Sequence, residues 1–245
     1  MFLINGPHGL FPPAFAPSLS NMDSRQHFPR EFFGWRLSRA EERANALTHG
    51  LGFVLSVAGA IAMATNVFGE SDMWRQIGCG VYVASLIAVY AMSTLSHSAT
   101  TQEWRSFYRA LDQGCIYFLI AATYTPFSLA YLRTTPWWLL LGAIWGVALW
   151  GFLSKVVFAH RVEAVSIWPC IVLGWMPTVS VPALAGIVPA AAFWWMLLGG
   201  LCYTVGTIFL RYDYKVRHFH AVWHMLVLAG SACHFLAIFA FVARV

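Results

Sequence analysis

Seven stretches of about 20 mostly apolar residues follow one another along this chain, and that is the length a helix needs to cross the hydrocarbon of a bilayer. They run roughly over residues 44–68, 74–98, 110–132, 136–158, 165–184, 190–210 and 220–242, separated by short charged or Gly/Pro-rich clusters. The chain has 245 residues, so the spans leave little room for a separate soluble domain. Composition agrees: 59% of residues are hydrophobic and only 10% are charged, where a globular chain carries about a quarter. The expected fold is therefore all-α, an integral membrane bundle of seven transmembrane helices. The fifth span holds Pro169, Pro177 and Pro182, each lacking a backbone donor, and is expected to kink.

Residues 1–43 read differently. Pro7, Pro12, Pro13, Pro17 and Pro29 punctuate them, and Arg25, Arg30, Arg36, Arg39 and Arg43 gather towards the first span. There is no short apolar core with a small-residue cleavage site, so this is a mobile cytoplasmic tail rather than a signal peptide. A short amphipathic stretch over residues 32–43 would lie on the membrane surface, and Met22 offers an alternative start.

Positive charge sets the orientation. With the N-terminus in the cytoplasm, the inner segments hold the five arginines of the tail, Arg105, Arg109, Lys155, Arg161, Arg211, Lys215 and Arg217, whereas Arg75, Arg133 and Arg244 fall outside. Twelve against three places the N-terminus inside and the C-terminus outside a cell (inner) membrane. The net charge of +5 does not indicate nucleic acid, because the basic residues are scattered singly between apolar stretches. Cys79, Cys115, Cys170, Cys202 and Cys233 lie one at a time within apolar segments, with no CxxC pair, and read as small buried residues.

Ionisable groups at membrane depth are costly, so their positions carry most of the functional information. His97 ends the second span, Asp112 opens the third, and His220 and His224 open the seventh. Span direction brings all four to the cytoplasmic layer of the membrane, although they are distant in sequence. His220 and His224 are one turn apart on one helix face. Two such histidines with a third from another helix are a common way to hold zinc, and three nitrogens leave a fourth position for water. An open site of that kind makes a nucleophile at neutral pH. Asp112 would then accept a proton from the water or orient a ligand histidine. Ser93, one turn before His97, would hydrogen-bond either the water or a substrate carbonyl. The competing reading is a proton relay, since chained Asp and His residues also carry protons; beyond this layer it has only His234 to use.

Other positions carry less. Glu42, Asn45 and His49 share one stripe at the start of the first span, either as a polar interfacial cap or as support behind the metal site. His234 reads as a hydrogen-bonded interior histidine, the tryptophans at span ends as interfacial anchors, and Thr123 to Pro126 as a local bend.

The segments ERANALTHG (42–50), STLSHS (93–98), LDQGCIYFLIAATYTPF (111–127) and HAVWHMLVLAGSACHF (220–235) closely resemble the hemolysin III family, the bacterial branch of the group containing the adiponectin and progestin receptors. The resemblance covers residues 40–242. It implies a zinc ion near the cytoplasmic face, with His97, His220 and His224 as ligands, Asp112 holding the metal-bound water and Ser93 beside them. The wider superfamily includes alkaline ceramidases and implies a membrane metal-dependent hydrolase. Gln113 stands where many relatives have a histidine, which alters the surroundings of the site. The expected function is a zinc-dependent hydrolase, ceramidase-like, cleaving an amide or ester bond of a membrane lipid that enters between helices. Two further classes remain: a receptor or stress-sensing protein stabilised by zinc, and the pore-forming cytolysin that the family name implies.

Overall fold

The computed structural model describes residues 38–67, 72–157 and 167–244. The expected tail with Met22 and its first three arginines, and the loop carrying His160 and Arg161, lie outside the described residues. The helices are α1 (Arg39–Val67), α2 (Met73–Ser98), α3 (Gln102–Tyr131), α4 (Thr135–Val156), α5 (Ile167–Trp175), α6 (Val181–Leu184), α7 (Ala190–Tyr212) and α8 (Phe219–Ile238). A 3-10 turn, Met176–Ser180, joins α5 to α6, and a π-helical turn, Phe239–Ala243, extends α8. Together these form seven helical segments long and apolar enough to cross a membrane. The chain is an all-α membrane protein, and no strand occurs among the described residues.

The α1 helix starts at Arg39 because Ser38 and Glu41 form a reciprocal cap: the Glu41 carboxylate accepts from the Ser38 N–H at 2.9 Å and from its hydroxyl at 2.7 Å, and the Glu41 N–H donates to the Ser38 hydroxyl oxygen at 3.3 Å. Similarly, Asp72 and Thr101 cap α2 and α3 by accepting from the N–H groups of Trp74 and Trp104. The α3 helix therefore begins at Gln102 rather than near residue 110, and Asp112 falls in its third turn. The prolines break the fifth span where a donor is missing, with Pro177 opening the 3-10 turn and Pro182 opening α6. The α3 helix runs unbroken through Pro126. There the hydroxyls of Thr123 and Thr125 donate back to the Leu119 and Ala121 carbonyls, and the Trp145 indole N–H donates to the Thr125 hydroxyl oxygen at 3.0 Å.

The α3 helix is the centre of the bundle. In its most apolar window 72% of residues are buried, against 11–44% in the other spans. It packs on α2 and α4, while α1 packs on α2 and α8, and α7 on α8. Close contact depends on small residues: a Cβ on Gly78 of α2 would stand 2.9 Å from the Pro126 Cα of α3, a backbone atom that cannot give way. Because successive spans run in opposite directions, the start of α1, the end of α2, the start of α3 and the start of α8 share one end of the bundle. The contacts of His97 with Glu42 and of His49 with Ser93 close that end.

Candidate metal centre

The entry into α8 is fixed from α1. His218, at the N-cap of α8, holds a left-handed backbone with φ 63°, a conformation that costs a non-glycine residue about 1 kcal/mol or more. Its N–H donates to the Glu41 carboxylate at 3.2 Å, so the residue that caps α1 also holds the turn into α8. From that turn His220 and His224 follow on one face. His97 reaches them from α2. The ring centroids of His97 lie 5.1 Å from both His220 and His224, which are 4.6 Å apart from each other. One ligand nitrogen from each of the three lies within 4.8 Å of the others, a group that could hold a single metal ion.

Each ring is turned by an oxygen on its other side. The Nδ1 of His97 meets the Glu42 carboxylate at 2.7 Å, and the Nδ1 of His220 meets the Asp213 carboxylate at 2.8 Å. The Nδ1 of His224 lies 3.1 Å from the Thr48 hydroxyl oxygen and 3.3 Å from the Asn45 carbonyl. The Thr48 hydroxyl hydrogen is engaged by the Ala44 and Asn45 carbonyls, so its oxygen can only accept from His224. A carboxylate, a committed hydroxyl and a carbonyl are all acceptors. All three imidazoles therefore carry their hydrogen on Nδ1 and leave the Nε2 lone pair for a ligand. This donor set fits zinc: three imidazoles, each with its Nδ1 held by an oxygen acceptor and its Nε2 left to bind.

Ser93 and Asp112 stand beside the group. Ser93 is fully buried, and its Oγ lies 2.6 Å from the Nδ1 of His49. Asp112 is partly buried, with its Oδ2 accepting from the Ser96 hydroxyl at 3.5 Å, and His220 and Ser93 lie near it. His49 stacks on His224 with centroids 3.5 Å apart and planes 14° apart. It is thus a fourth imidazole in the cluster, outside the three-nitrogen group. Its Nε2 and both amide atoms of Asn45 are buried with no hydrogen-bond partner.

The sequence stripe of Glu42, Asn45 and His49 accordingly turns inward, with all three residues buried, rather than to the interface. Glu42 bridges His97 and Arg105, whose guanidinium donates to its other oxygen at 3.2 Å. Asp213 and Thr48 are contacts that sequence reasoning missed. Asp213 looked like a loop acid, and only its place at the end of α7, seven residues before His220, hinted otherwise. His234 sits apart from the cluster, its Nε2 bonded to the Met196 carbonyl at 3.0 Å. The five cysteines are free thiols, three of them buried.

A family model described as haemolysin-III related matches residues 37–235, which include every residue of the cluster and its contacts. The hemolysin-3 homolog of Bacillus subtilis (strain 168) is 35% identical over 205 residues, covering 84% of this chain and 96% of the relative. Hemolysin-3 of Bacillus cereus is 36% identical over 202 residues, covering 82% and 92%. More distantly, the monocyte to macrophage differentiation factor of Homo sapiens is 25% identical over 216 residues, covering 83% and 85%.

Proposed function

This chain belongs to the haemolysin-III related family, and on that premise we propose that it is a zinc-dependent membrane hydrolase that cleaves an amide or ester bond in a lipid. The observation that carries the reading is the set of three histidines converging with their Nε2 lone pairs unengaged, each Nδ1 held by an oxygen acceptor. His97, His220 and His224 would hold the ion. When bound, zinc in such a site supplies Lewis acidity towards a carbonyl oxygen and acidifies water. Three protein ligands, rather than four, support a reactive over a purely structural role.

The remaining chemistry belongs to side chains. Asp112 accepts the proton released by the attacking water and returns it to the leaving group; with Oδ2 facing Ser96, its Oδ1 is the oxygen available. Ser93, whose hydroxyl lies 2.6 Å from the His49 Nδ1, would hydrogen-bond the attacking water or the substrate carbonyl. Glu42, Asp213 and Thr48 hold the rings. The acyl chain lies along apolar helix faces, reached laterally from the bilayer. The positive-inside bias orients the protein with its N-terminus and the metal end in the cytoplasm.

Metal content measured by mass spectrometry on detergent-purified wild type, His224→Ala and Asp112→Ala, each incubated with a short-chain ceramide, tests the reading. The expected result is about one zinc per chain in wild type and Asp112→Ala, none in His224→Ala, and fatty-acid release by wild type alone. Absence of metal from all three would overturn it. Lysis of vesicles that persists in His224→Ala would instead point to the cytolysin that the bacterial relatives' names describe.

A further inference from the structure

The turn between α7 and α8 stands at the metal end of the bundle and is tied down from within. The Lys215 and Val216 N–H groups both donate to the Tyr212 carbonyl, at 3.0 and 3.2 Å, and the Phe219 N–H donates to the Val216 carbonyl at 3.4 Å. The Phe219 ring meets Phe209 edge-on at 5.1 Å and so joins the two helices beneath the turn. Asp213 holds the His220 ring, and the His218 N–H is held by Glu41.

What the turn presents outward is basic and aromatic. Arg211, Lys215 and Arg217 are exposed, with Tyr212, Tyr214 and Val216 exposed between them. The one acid of the turn, Asp213, is engaged by His220, and among the described residues none of the three bases forms an ion pair. Elsewhere at this end Arg105 is committed to Glu42 and to the Ala99 carbonyl, and Lys155 is buried. The Lys215 amine lies 5.7 Å from the centre of the Tyr212 ring and 5.2 Å from that of Tyr214. Two ring faces steady the ammonium without neutralising it, since an aromatic face attracts a cation but carries no net charge. Depth agrees with the chemistry. The α7 helix has 23 residues, about 35 Å, slightly more than the hydrocarbon of a bilayer, so its last residues and the turn reach the headgroups. Tyrosine belongs at that level, and basic groups there are drawn to anionic lipid.

We propose that this turn, through Arg211, Lys215 and Arg217 with Tyr212 and Tyr214 beside them, binds the phosphate of an anionic phospholipid in the leaflet that meets the metal end. The phosphate oxygens accept from the ammonium and the two guanidinium groups. The tyrosine rings and Val216 lie against the glycerol and the first methylenes, which makes the ligand a lipid rather than a free phosphate. The contact stands whether or not the histidines hold zinc or the protein cleaves a lipid. Its place still matters to them, because a headgroup seated on the turn lies beside His220, the one partly exposed histidine of the three.

The test is native mass spectrometry of the purified full chain in detergent, titrated with dioctanoyl phosphatidylglycerol or dioctanoyl phosphatidylcholine. Wild type is expected to bind the phosphatidylglycerol about tenfold more tightly or better. Arg211→Gln, Lys215→Gln and Arg217→Gln together should abolish that preference, each charge removed costing about fivefold in phosphatidylglycerol affinity. Arg39→Gln with Arg43→Gln, at exposed positions of α1 on the same face, should keep it. Tyr212→Leu with Tyr214→Leu leaves every charge in place and should weaken it. If the triple variant does not fold, Lys215→Gln and Arg217→Gln are read singly. Glycerol phosphate at equal concentration should not displace the lipid. Equal affinity for the two lipids in wild type, a preference unchanged in the folded turn variants, an equal loss in the Arg39 and Arg43 variant, or displacement by glycerol phosphate would each overturn the proposal.

Discussion

Glu42 divides its carboxylate between an imidazole and a guanidinium. One oxygen fixes the His97 ring and the other holds the Arg105 guanidinium, which also donates to the Ala99 carbonyl at 2.9 Å. Glu42→Gln keeps an acceptor for His97 and loses the charge, so zinc affinity measured by chelator competition should fall about 10–100-fold while the fold persists. Asp112→Asn removes a proton acceptor without touching a ligand; zinc content should hold while ceramide turnover falls by about 10²–10⁴. The three histidines and Asp112 were legible because span direction alone places them in one layer, and His-x3-His puts two rings on one face. The inward turn of Glu42 was not, since a stripe at a span end reads equally well as an interfacial cap until its partners are known. Thr48 was hidden more deeply: its role depends on a hydroxyl hydrogen already given to its own helix backbone.

Among the elements, α2 is held at both ends, and the end away from the metal cluster is sensitive to acid. Asp72 caps α2 through the Trp74 N–H at 3.0 Å and pairs with Arg133 at the end of α3. Burial raises its carboxyl, but the Arg133 hydrogen bond and charge, with the N–H groups of Arg75 and Trp74, outweigh that and hold it below the usual carboxylate range. Its stabilising contribution is therefore whole above the ordinary carboxylate pKa and is lost as pH falls through the lower, folded value. Asp72→Asn, which keeps a capping oxygen, should show a shallower fall in thermal stability on acidification than wild type. The effect should be small, because both partners are partly exposed. Where α7 meets α8, a Cβ on Gly199 would stand 2.2 Å from the His234 ring and 3.0 Å from the Gly230 carbonyl. Gly199→Ala should therefore lower stability in detergent by about 1–3 kcal/mol, read from thermal unfolding. The spans themselves were plain from apolar run length. Their starts were not, because α1 and α3 begin in polar residues, where Ser38 and Thr101 rather than hydropathy set the first turn.

For the molecule as a whole, the orientation proposed from the charge bias predicts that a reporter fused after Val245 behaves as external and that one fused ahead of α1 behaves as cytoplasmic. The long α3 helix bears on the same question from another side. It runs 30 residues, about 45 Å, so its first turns with the exposed Trp104 and Phe107 extend to the membrane surface while Asp112 lies some 15 Å further in. His97 and His224 are all but sealed from solvent, and the Glu42–Arg105 pair closes over His97. Of the three histidines His220 alone keeps a partly exposed side chain, so an ion held there would meet a chelator from that side. A small membrane-permeant one such as phenanthroline should strip it faster than the bulky, charged EDTA. The rate of loss would then report access past His220, and only competition run to equilibrium would report how tightly the histidines hold.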